Sequence, residues 1–158
     1  MERNPGFDTL RGCLTLLVVF HHTAITYGAI GGWFYREIDT GASLSSDLLV
    51  FFCTVNQAYF MGLFFLLAGY FTPSALRRKG TGRFLLDRLI RLGVPLLFFG
   101  WILGPATIAL AQTHKSRPFF VTLMHLWESG TFEAGPLWFA EALLLFALGA
   151  VLFSWLPG

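Results

Sequence analysis

Arg11 and His22 stand eleven residues apart in FDTLRGCLTLLVVFHHTAITYG (residues 7–28), a run that is otherwise mostly apolar. A guanidinium binds phosphate or carboxylate through paired, directional hydrogen bonds. An imidazole, with an unperturbed pKa of about 6.5, takes up and returns a proton near neutral pH. In an α-helix, eleven residues make about three turns and about 16.5 Å, which brings the two groups within roughly 20° of one face. Asp8, Thr15 and Thr26 fall on the same stripe, while His21 is turned about 100° away from it. An ionisable side chain deep in a bilayer is costly and usually faces a bundle interior or cavity, so His22, expected near mid-membrane, is a candidate site residue. The plainer readings are a snorkelling anchor for Arg11 and interhelical hydrogen bonding for the two histidines. A metal site is not expected, because no His, Cys or carboxylate lies three or four residues from either histidine.

Two further places carry chemistry. RRKGTGRFLLDRLIRLGVP holds Arg88 and Arg91, and GPLWFAEALLLF holds Glu141, a carboxylate about one turn inside an apolar stretch. Asn56, Gln57 and Tyr59 are expected to act as polar contacts between helices rather than as ligands.

The elements that must position these groups follow from composition. Hydrophobic residues make up 55% of the 158 and charged residues 13%, with 18 Phe and 5 Trp. That balance marks an integral membrane protein. Leu10–Ile30, Leu48–Phe71, Leu92–Ala111 and Leu137–Leu156 each reach the roughly 20 residues that cross a hydrocarbon core of about 30 Å. Four spanning helices are expected, since these runs lack the period of two of a membrane barrel. The first is too long and too rich in histidine for a cleaved signal peptide.

Arg77, Arg78, Lys79, Arg83, Arg88 and Arg91, six of the 11 Lys plus Arg, lie between the second and third stretches, and Arg3 and Arg11 lie at the start of the first. The positive-inside rule then puts the N-terminus, that middle loop and the C-terminus in the cytoplasm, with 31–47 and 112–136 outside. The net charge of +2 reflects this sidedness, and no nucleic-acid partner is expected. Cys13 and Cys53 fall toward opposite ends of their helices, so no disulfide is expected. The basic loop reads as an amphipathic helix lying in the cytoplasmic interface. RPFFVTLMHLWESG reads as a second interfacial helix. The third stretch contains Gly93, Pro95, Gly100, Gly104 and Pro105 and is expected to be kinked or broken.

FDTLRGCLTLLVVFHH, with its R-x10-H spacing, resembles the first helix of the membrane acyltransferase 3 family, which O-acylates bacterial glycans. FFLLAGYFTPSALRRKGTGRFLLDRLIRLGVP is similar to that family's second helix and R-x-x-R loop, here Arg88 and Arg91. GPLWFAEALLLF is similar to the start of a later helix, with Trp138 and Glu141 as the counterparts. Ala68 stands where the family usually has Ser, a variant closer to the glucan succinyltransferase-like branch.

The resemblance implies an all-α polytopic membrane bundle of about ten helices. Residues 1–158 would be its N-terminal portion, a fragment expected to be inactive by itself. It further implies acyl transfer from acyl-CoA (acetyl-CoA or succinyl-CoA) to a hydroxyl of a glycan or lipid-linked saccharide, at the inner membrane. His22 would be the base, Glu141 its support, and Arg11, Arg88 and Arg91 the holders of the coenzyme A phosphates. A polytopic transporter or flippase would use similar mid-membrane residues and broken helices. A non-catalytic membrane scaffold would lose little on His22→Ala.

Overall fold

A computed structural model describes residues 5–113 and 115–155. Arg3, counted above with the N-terminal basic residues, and Leu156, the expected end of the last span, lie outside the described residues. Among the described residues the chain is all-helical, without a strand. It comprises two compact units, Met1–Leu66 and Leu67–Gly158, with the boundary inside its longest helix.

In the first unit, α1 (Pro5–Thr26) runs 22 residues, about 33 Å at 1.5 Å per residue. Leu14, His21, Ala24 and Ile25 are its buried positions, the three-and-four spacing of a single packed stripe. The helix stops four residues short of the expected Ile30. Gly28 takes a positive φ of 115°, and the Ala29 N–H reaches back across it to the Ala24 carbonyl at 2.9 Å, a glycine-assisted helix end. Ala24, Ile25, Ala29 and Cys53 form the core here, with Trp33, Leu49 and Phe52 packed on them.

α2 (Leu44–Lys79) is 36 residues long, about 54 Å. It therefore outruns a hydrocarbon core of about 30 Å, and Arg77, Arg78 and Lys79 stay helical in its last turn. After Gly80, which turns the chain at φ 72°, α3 (Thr81–Thr113) runs 33 residues. The expected in-plane amphipathic helix is thus the first two turns of α3 rather than a separate element. Its Phe84 is buried with Ala147 and Val151, against Ala75 and Leu76. Lys79 donates to the Asp87 carboxylate across the turn. α4 (Phe119–Glu128) forms where the second interfacial helix was expected, and α5 (Trp138–Ser154) follows a short 3-10 turn, Gly135–Leu137.

Leu44–Lys79, Thr81–Thr113 and Gly135–Ser154 are long and apolar enough to cross a membrane. α1 is long enough but less apolar, because Asp8, Arg11, His21 and His22 interrupt it.

α3 is neither broken nor regular. Leu89–Gly93 and Phe99–Leu103 are π turns, closed by Val94 N–H to Leu89 O and Gly104 N–H to Phe99 O. Each ends two residues before a proline, Pro95 or Pro105. A proline lacks an N–H and its ring crowds the carbonyl four residues back, and a wider turn makes room for it.

The π turn before Pro105 also leaves carbonyls for others to use. Gly100 O accepts the Glu133 N–H at 3.1 Å, and Trp101 O accepts the Trp127 indole N–H at 2.9 Å. Phe132 meets Trp101 edge-on at 5.6 Å. Glycine is required at both close approaches: a Cβ on Gly100 would collide with the Phe132 ring, and one on Gly104 would lie 2.7 Å from Glu133 O.

Candidate functional site

In the first unit, α1 is unbroken from Arg11 to His22, so the two keep the common side that their spacing implies. His22 sits one turn from the end of the helix at Thr26. Gly28 ends α1 before the expected Ile30. Arg11 is exposed, with the Asp8 carboxylate 3.7 Å away one turn earlier. Thr15 and Thr26 do not extend the stripe as open polar groups. Their hydroxyls donate to Arg11 O at 2.9 Å and His22 O at 3.1 Å, the back-bonding by which a helix absorbs a threonine in apolar surroundings.

The two adjacent imidazoles have different surroundings. His21 is 8% exposed, stacks on Phe60 at 5.2 Å and has the Asn56 amide nitrogen 3.4 Å from its Nδ1. The same amide donates to Leu17 O at 3.3 Å, so Asn56 ties α2 to α1 in the packing role expected of it. His22 is half-buried, and its Nδ1 is buried without a hydrogen-bond partner among the described residues. Its ring stacks on Trp33, with centroids 4.1 Å apart and planes 21° from parallel.

Trp33 was not among the residues the sequence pointed to. The only local signal was GGWF, two glycines before an aromatic in the connection between α1 and α2. Of the two, Gly31 matters structurally: it takes φ 146°, and a Cβ there would stand 2.7 Å from Ile25 Cδ1.

In the second unit, Arg88 lies over the Phe84 ring at 5.3 Å and is half-buried. Arg91, three residues on, is exposed within the first π turn. Both belong to the cationic start of α3, with Arg83 and Asp87. Glu141 is exposed in the first turn of α5, where a carboxylate also complements the helix dipole. Among the described residues, no group of three or more His, Cys, Asp or Glu is placed to hold a metal ion. Cys53 is buried and Cys13 exposed.

A family model described as an acyltransferase domain, that of the acyltransferase 3 family, matches residues 4–156. No curated protein and no solved structure matches the chain.

Proposed function

Because this chain belongs to the acyltransferase 3 family, we propose that it serves an O-acyltransferase that carries an acyl group from acyl-CoA to a carbohydrate hydroxyl. The donor is acetyl-CoA or succinyl-CoA and the acceptor a glycan or lipid-linked saccharide. The observation that carries the assignment of roles is the contrast between the histidines. His21 is committed to Asn56 and Phe60, whereas His22 keeps a buried ring nitrogen with no partner among the described residues.

His22 takes the proton of the acceptor hydroxyl as that oxygen attacks the thioester carbonyl. The carbon–oxygen bond forms, the carbon–sulfur bond breaks, and the imidazolium returns its proton to the departing thiolate, which leaves as coenzyme A. Glu141 is the carboxylate that supports this cationic intermediate state. Coenzyme A is anionic and cannot enter hydrocarbon, so Arg88, Arg91 and Arg11 hold its phosphates at the cytoplasmic rim.

α1, at 22 residues, is long enough to be a fourth span of the family's ten-helix fold. The concentration of Arg and Lys from Arg77 to Arg91 supports an inner-membrane chain with a cytoplasmic N-terminus.

The test is His22→Ala in the chromosomal copy, with labelled acyl-CoA supplied to native membranes. Transfer to glycan should fall by about 10² to 10⁴, the usual contribution of a positioned base, at unchanged membrane abundance. Undiminished transfer would remove His22 from the reaction.

A further inference from the structure

We infer that Trp33 caps His22 on the outer side and fixes its ring, a positioning role that deepens, and rests on, the reading of His22 as the base. The connection from Tyr27 to Ser43 does not hang free. It folds back over the end of α1 and is pinned there at several points. Glu37 N–H and Ile38 N–H both donate to Thr26 O, at 2.9 and 3.3 Å. The Thr40 hydroxyl donates to Ala29 O at 3.2 Å and the Ser46 hydroxyl to Gly28 O at 2.7 Å. Arg36 donates to Gly31 O. The Tyr35 hydroxyl donates to Glu37, which pushes the phenol's ionisation above its usual range.

A segment held this way places one large ring with little freedom. Trp33 packs against the Ala24, Ile25, Ala29 and Cys53 core and stacks nearly parallel on His22.

The stack has consequences for a base. It fixes the imidazole plane, and so the direction in which the ring nitrogens point, which matters because proton transfer requires hydrogen-bond geometry with the acceptor hydroxyl. It keeps water off one face of the ring. Once the proton is taken, the imidazolium lies against an indole face, whose quadrupole attracts a cation. An acceptor arriving from the outer side would meet Trp33 before His22.

The prediction is read first by chemical labelling, with no turnover needed. Membranes containing the chain are treated with diethyl pyrocarbonate, which acylates accessible neutral imidazole, and each histidine is quantified by peptide mass spectrometry. In the unaltered chain His22 should react slowly beside exposed His125. Trp33→Ala should raise His22 labelling several-fold, and Trp33→Phe should restore protection. His21 is the internal control, since it is buried against Asn56 and Phe60 and would gain reactivity only if the unit opened. If Trp33→Ala opens the unit, Gly31→Ala decides instead. Its Cβ would press on Ile25 and displace the loop with every aromatic retained, and it should expose His22 while His21 stays protected. Unchanged His22 labelling in both variants overturns the proposal.

In native membranes the cap predicts a lowered maximal transfer rate for Trp33→Ala, rescued by Phe, at an unchanged half-saturating acyl-CoA concentration. An unaltered maximal rate, or a loss that Phe does not rescue, overturns the positioning role. Should His22→Ala prove fully active, the base reading fails on its own, and the cap still stands or falls on the labelling.

Discussion

Adjacent residues of an α-helix point about 100° apart, and on α1 that angle gives His21 and His22 different neighbours. His21 faces α2 and makes its contacts with Asn56 and Phe60. His21→Ala should therefore act mainly on stability, because deleting a buried ring leaves a cavity and removes a partner from a buried amide, together about 2–4 kcal/mol. Thermal unfolding of the purified chain should show the loss, while acyl transfer in native membranes, per folded molecule, changes far less than in His22→Ala. The two arginines can also be told apart. Arg91→Ala should raise the acyl-CoA concentration needed for half-maximal rate with little change in the maximum, as removal of a donor-binding contact does. Arg88→Ala should do the same and in addition lower thermal stability, since its guanidinium covers Phe84. The shared side of Arg11 and His22 was legible in the R-x10-H spacing, because an unbroken helix converts spacing directly into direction. Trp33 was not legible, since a stack between a loop and a helix depends on how the loop closes.

The proline and glycine positions of α3 reveal where the i→i−4 ladder must fail, and Gly93 to Pro105 did mark an irregular helix. What sequence spacing leaves open is which groups take up the carbonyls that the prolines release. The molecule answers with Trp127 and Glu133, both from the segment between α3 and α5. Trp127→Phe keeps the bulk and deletes the donor, so it should cost about 0.5–1.5 kcal/mol, the net value of one hydrogen bond. Hydrogen exchange across 119–137 should accelerate first, because these contacts hold that segment locally. Gly100→Ala should be worse, roughly 1–3 kcal/mol as for overpacking generally, since the new methyl collides with Phe132. Exchange that is unaffected in both variants would show that the segment is held by other means. The end of α1 illustrates the same limit: the apolar run continues to Ile30, yet Gly28 and the bonds onto Thr26 O stop the helix earlier.

For the chain as a whole, composition announced a membrane protein, and the structure provides three helices long and apolar enough to cross a bilayer, with α1 a shade too polar to join them by composition alone. Sidedness is an independent matter, and the six basic residues from Arg77 to Arg91 predict it. A cysteine label at Gly80 should be protected from impermeant reagents added outside, whereas labels at Ser43 and Ser129 should react. Reaction at Gly80 would invert the chain and move Arg88 and Arg91 away from the compartment that holds coenzyme A. The π turn at Phe99–Leu103 bears on how such a gene can vary. Genetically it behaves as a one-codon insertion in an ordinary helix: deleting one codon there returns the backbone to regular spacing, and because the wide turn had absorbed the extra residue, the two flanks of α3 keep about the same relative facing. The cost is local: the regular turn would again press on the ring of Pro105 and close the wide turn whose carbonyls Glu133 and Trp127 use. A codon removed from the regular middle of α2 has no spare residue to give up and rotates one flank about 100° against the other. In a deletion scan of the gene, single-codon losses within 99–103 should therefore be tolerated better than losses in the middle of α2.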